Sequence, residues 1–180
     1  MFAARPEATY ISALDKNLVP GAITEYAKPE PIEDYRLHSN GRRAAEVDFE
    51  DGLKLFVVPA RGVATGPGRL AEVLAYDKQG RVRAHAEWDA ERERFAFWSS
   101  NGIDPQTFAG YCAAASALSK KVALKIAGAS DELKPRGIVN YEFCSVLELL
   151  GETKLTQELA EGRVETLPDM PKSIFGREEI

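Results

Sequence analysis

The sequence predicts an α+β fold: an antiparallel meander of about five or six strands, one long buried helix (residues 104–127) across its apolar face, and extended arms at both ends. Three observations carry that expectation. Residues 104–128 have the start, stripe and stop of a helix. Residues 70–99 break into three runs suited to strands, separated by turn signals. Both ends of the chain carry prolines and lack a sustained period. The organisation read from this is an N-terminal arm (1–35), a core domain (36–150) and a C-terminal part with a short helix and an acidic tail (151–180).

The helix is the clearest element. Asp104 suits the cap and Pro105 the first helical position, where no N–H donor is needed. Phe108, Tyr111, Ala115, Leu118 and Val122 recur at steps of three and four, so they share one face, and Ile126 extends it. Ala109, Gly110, Cys112, Ala113, Ala114 and Ala117 make the first half apolar or small nearly all round, the pattern of a core helix or of one shared with a partner. Ser116, Ser119 and the lysines interrupt the run, which excludes a membrane span of about 20 apolar residues.

Earlier in the chain, residues 8–18 fit a short helix, Pro20-Gly21 ends it, and Pro29 and Pro31 keep the next stretch extended. Residues 35–42 fit a short strand. Residues 45–49 and 53–58 flank Asp51-Gly52, a two-residue turn signal that sets Val47 against Phe56 and Ala45 against Val58. Residues 59–69 are a glycine-containing loop. A phosphate cradle would need a helix directly after it, and a strand follows instead. The strands 70–76, 82–88 and 95–99 lead into the helix. A turn at 77–80 sets Glu72 opposite Ala86, and a turn at 90–91 sets Ala86 against Phe95 and Ala84 against Phe97. Val82, Ala84, Ala86, Trp88, Phe95 and Phe97 then form the apolar face that receives the helix.

Residues 138–149 fit two patterns. As a strand, Val139, Tyr141, Phe143, Leu147 and Leu149 share a face. As a helix, Phe143, Val146, Leu147 and Leu150 do, with Asn140 as cap and Gly151 as stop. The β-branched and aromatic residues favour the strand. Residues 153–160 fit a short helix, and an extended tail follows from Gly162. Ile174 and Phe175 near its end are a candidate anchor for a groove.

Net charge is −5, acidic at both ends and basic between residues 53 and 140. That layout argues against a nucleic-acid domain, which is usually basic throughout. Two cysteines, Cys112 and Cys144, make neither a disulfide framework nor a metal motif, and both lie in apolar segments. The first residues lack the basic start and apolar run of a secretion signal, so the expected location is cytoplasmic, with no membrane partner.

The candidate chemistry is sparse. His38 and His85 are the only histidines. His85 falls on the charged strand face, where a carboxylate such as Glu87 would pair with it. Glu72 is a carboxylate placed on an apolar face, explained either by a bulge or by a pocket. Glu72, Trp88 and Cys112 mark a possible pocket between sheet and helix, and a Cys112–His85 thiol–imidazole pair is a further option. Ser99-Ser100-Asn101-Gly102 beside the helix start is a possible anion site, with Asp104 competing for its donors. Arg81, Arg83, Arg94 and Trp98 make a possible interaction face, interleaved with acids. No spacing marks a metal site, and no dinucleotide, P-loop or nucleophile-elbow motif marks a cofactor or a reaction.

The leading expectation is a non-enzymatic interaction or structural protein that associates with itself or with another protein. An assembly component or inhibitor of a virus or mobile element would fit, though no residue selects it. The alternatives are a small-molecule-binding domain or enzyme with its pocket between sheet and helix, and a nucleic-acid binder using the arginine face.

Overall fold

A computed structural model describes residues 12–16, 18–22, 29–38, 44–61, 66–100, 102–127 and 134–172; side chains are described for these except within 12–22, 33–38, 125–127 and 134–141. The strands are β1 (Ser12–Lys16), β2 (Leu18–Ala22), β3 (Pro31–His38), β4 (Ala44–Phe49), β5 (Lys54–Pro59), β6 (Leu70–Tyr76), β7 (Val82–Asp89), β8 (Arg94–Ser99) and β9 (Val164–Thr166). The helices are α1 (Pro105–Ala127), α2 (Lys134–Glu152) and α3 (Leu155–Ala160). Strands β3 to β9 form a seven-stranded sheet in chain order, antiparallel except where β9 joins β8 in parallel, and β1 pairs with β2 in a separate ribbon. The α+β class and the long helix are as the sequence predicts.

Each hairpin has its own loop chemistry. Between β4 and β5 the Gly52 N–H donates to the Phe49 carbonyl and the Phe49 N–H to the Leu53 carbonyl. The loop therefore has three residues, and Gly52 closes it at φ 95°, where an L side chain is strained. Val47 pairs with Leu55 and Ala45 with Val57, one residue away from the expected register. Phe56 and Val58 accordingly turn to the opposite sheet face. Between β6 and β7 the pattern repeats, with Gly80 at φ 81° and the Asp77 side chain accepting from the N–H groups of Gln79 and Arg81. The β7–β8 loop has four residues rather than two, so Ala86 pairs with Phe97 and Ala84 with Ser99. A shift of two keeps Ala84, Ala86, Phe95 and Phe97 on their expected face, whereas Val82 falls on the opposite one, a correction to the expected helix-receiving face.

The helices cover one face of the sheet. Ala45, Val47, Leu55, Val57, Val73, Ala75, Ala84, Ala86, Phe95 and Phe97 meet Phe108, Tyr111, Cys112, Ala115, Leu118 and Val122 of α1 in the main core. Phe97 and Phe108 meet with tilted rings, their centroids 5.5 Å apart, and Tyr111 sets its ring edge-on to Phe49 at 4.8 Å while its hydroxyl donates to Asp51. Asp104 caps α1, its carboxylate accepting the Thr107 N–H at 2.7 Å.

Four expectations are corrected. Residues 138–149 are helical, inside α2, because the stripe Phe143, Val146, Leu147 and Leu150 docks in the core, and that burial outweighs the strand preference of the aromatic and β-branched residues. Gly151 lies within α2 rather than ending it. The part of residues 8–18 that is described belongs to the ribbon β1–β2, not to a helix. The tail after Gly162 is not wholly extended outward: Val164–Thr166 adds a parallel strand to β8, and the Leu167 N–H donates to the Phe97 carbonyl at 2.7 Å. Ile174 and Phe175 lie outside the described residues. Among the described residues no helix is long and apolar enough to cross a membrane.

Candidate functional site

The second face of the sheet, away from the helices, has its own buried cluster: Ala44, Phe56, Val58, Leu74, Tyr76 and Val82, with Trp98 and Met170 against it. Glu46, Glu72 and His85 are buried as well. Strand alternation places Glu72 here with Leu74 and Tyr76, and His85 opposite Leu74 and Trp98.

A register shift creates this grouping. Tyr76 pairs with Val82, but Ala75 pairs with Ala84, leaving Arg83 as an extra residue on β7. Beyond that bulge Val73 pairs with Ala86. Without it, Glu72 would stand opposite Ala86, as the sequence suggests, and His85 would point to the other face. With it, Glu72, His85 and Glu87 share one face and their ligating atoms all lie within 4.8 Å of one another. His85 Nε2 is 2.9 Å from Glu72 Oε2, with the two side chains 1 % and 5 % exposed. Burial pushes the imidazole below its ordinary pKa, against the pull of the neighbouring Glu87 carboxylate. Burial thus favours the neutral form of the ring.

The pocket expected at Glu72, Trp88 and Cys112 does not assemble. Cys112 belongs to the helix-side core and Trp88 packs against it, whereas Glu72 is on the second face. The same separation removes the Cys112–His85 pair. Burial alone pushes the Cys112 thiol up to about 12, so it is a core residue without thiolate character. Native Cys112 is expected to resist a thiol reagent at pH 8 and to react promptly in denaturant; rapid labelling of the native chain at Cys112 would refute the packing. Cys144 is also free and buried, and its thiol donates to the Ser119 carbonyl of α1 at 3.3 Å.

The arginine face is largely neutralised. Arg81 lies 3.3 Å and Arg83 3.7 Å from the Asp77 carboxylate, and Arg94 lies 3.9 Å from Glu165 of β9. Trp98 stands opposite His85. These pairings leave little positive field for a nucleic acid. At the start of α1 a shallow groove is lined by Ser99, Ser100, Gly102 and Asp104. Asp104 takes up the Thr107 donor, and the Ser99 hydroxyl donates to the Ile103 carbonyl, so an anion gains little there. His38 is on β3, where side chains are not described.

The helical layer presents the remaining feature. Ala113, Ala117, Lys120, Lys121 and Leu124 are exposed on one face of α1, Leu124 at 75 %. On α2 the exposed residues Glu142, Ser145, Glu148 and Glu152 also share a face. The two helices pack against one another, α1 carrying exposed lysines around Leu124 and α2 carrying exposed glutamates.

Sequence reasoning singled out Glu72 and His85 but not their union, and it missed Glu46. A carboxylate flanked by apolar residues within a strand is the available signal for both acids: Ala45-Glu46-Val47 and Ala71-Glu72-Val73. Comparison with protein-family models, with curated proteins and with solved structures finds no match.

Proposed function

We propose that this protein is a non-catalytic interaction module that associates with a second copy of itself through the outer face of its helical layer. The observation that carries this reading is the pair of stripes of opposite sign on α1 and α2. A two-fold axis over the seam would set Lys120 of each copy on Glu142 and Glu148 of the other, with Leu124 buried between them. Ala113 and Ala117 are small enough to let the backbones approach. The lack of assembly at the expected sheet–helix pocket and the neutralised arginine face favour association over catalysis or nucleic-acid binding. Two buried, free cysteines fit a reducing, cytoplasmic setting.

Sedimentation across protein and salt concentration tests this. The expected result is a dimer that weakens as salt rises and becomes a monomer on Leu124→Glu. A monomer at every concentration, or a dimer indifferent to both changes, overturns the reading.

A further inference from the structure

We propose that Glu72, His85 and Glu87 hold one divalent transition-metal ion, of the zinc and cobalt class, on the second face of the sheet. The argument begins with the backbone. His85 and Glu87 are two residues apart on β7, so their side chains leave the same face, and Glu72 is on the adjacent strand β6. Neighbouring strands of a sheet hold such donors more rigidly than loops do.

Geometry comes next. Two donors at about 2.1 Å from one ion stand about 3.0 Å apart at a right angle and about 3.4 Å apart at the tetrahedral angle that zinc favours. The 2.9 Å between His85 Nε2 and Glu72 Oε2 is already the spacing of adjacent ligands. The widest separation in the triad is at most 4.8 Å, and Glu87 is only half-buried, so a change of its rotamer would draw the set together.

The surroundings point the same way. Leu74 and Trp98 flank the triad across the sheet, so the donors face apolar neighbours and little water. A cation at the common point of two carboxylates is held by both. One nitrogen and two carboxylates suit zinc, cobalt or manganese. They are too few oxygens for calcium and include no thiolate for a softer ion. The bulge at Arg83 is the device that aligns the set, since a one-residue slip would turn His85 and Glu87 away from Glu72.

The test uses the full chain, free of any affinity tag and stripped with a chelator. Zinc is titrated by calorimetry, and cobalt is followed by its visible absorption, whose intensity reports a nitrogen- and oxygen-ligated, low-coordinate ion. The expected result is one ion per chain, a raised melting temperature with zinc, and no response to magnesium. Glu87→Gln is the main variant, because Glu87 is half-buried and its amide keeps the shape. It is expected to lower zinc affinity by at least about tenfold, the loss typical even of a metal ligand's supporting partner. His85→Gln is expected to remove the cobalt absorption. The proposal is overturned if the stripped chain binds no zinc, or if zinc binds Glu87→Gln as tightly as the unaltered chain, which would put the ion elsewhere on the surface.

Discussion

Phe97→Ala is expected to destabilise the protein by about 4 kcal/mol, as for other fully buried phenylalanines replaced by alanine. Phe97 is the hinge of three elements. Its strand β8 sits between β7, where it faces Ala86, and β9, where it faces Thr166. Its ring packs at a tilt against Phe108 of α1, and its carbonyl accepts the Leu167 N–H that holds the C-terminal segment. The backbone bond survives the substitution, so the loss is that of ring burial and of the cavity left against α1. In a chain of this length the melting temperature should fall by about 8–16 °C. Phe97→Leu, which refills much of the space, should cost less than about 1.5 kcal/mol. Urea unfolding of the two variants checks the ordering. Equal effects would mean that the α1–sheet interface is not packed as described.

The second large effect concerns the pair on the other face. His85→Leu, measured with a chelator present, is expected to cost about 3 kcal/mol, because it removes a hydrogen-bond partner from a buried carboxylate. Glu72→Leu alone leaves the imidazole without that partner and should cost a similar amount. The double variant Glu72→Leu/His85→Leu replaces both polar groups by apolar ones beside Phe56, Leu74 and Trp98. It should be less destabilised than the sum of the single variants by about 2 kcal/mol. Strict additivity would show that the two groups do not depend on one another in the folded chain.

How much of this was legible beforehand differs by element. The cap, stripe and length of α1 are written locally: Asp104, Pro105 and the apolar steps of three and four need no tertiary information. The three strands before it were legible for the same reason. The region around Phe143 was not, because its residues satisfy a strand face and a helix stripe at once, and only docking against α1 and the sheet selects the helix. The parallel strand β9 is three residues long with no local pattern of its own; it exists because β8 offers a free edge beside the end of α3.

The site divides along the same line. Composition and pattern alone determined an α+β chain with one long core helix, two core cysteines and an anomalous carboxylate at Glu72. The tertiary structure decided what Glu72 belongs to. Sequence periodicity fixes which residues of a strand share a face, but the match between two strands depends on loop length and on bulges. A three-residue loop moved Phe56 and Val58 to the second face, and a single extra residue at Arg83 moved Glu72 into the company of His85 and Glu87. Because the side-chain period of a strand is two, one residue is enough to exchange the faces, and no local signal in the sequence marks where that residue is inserted.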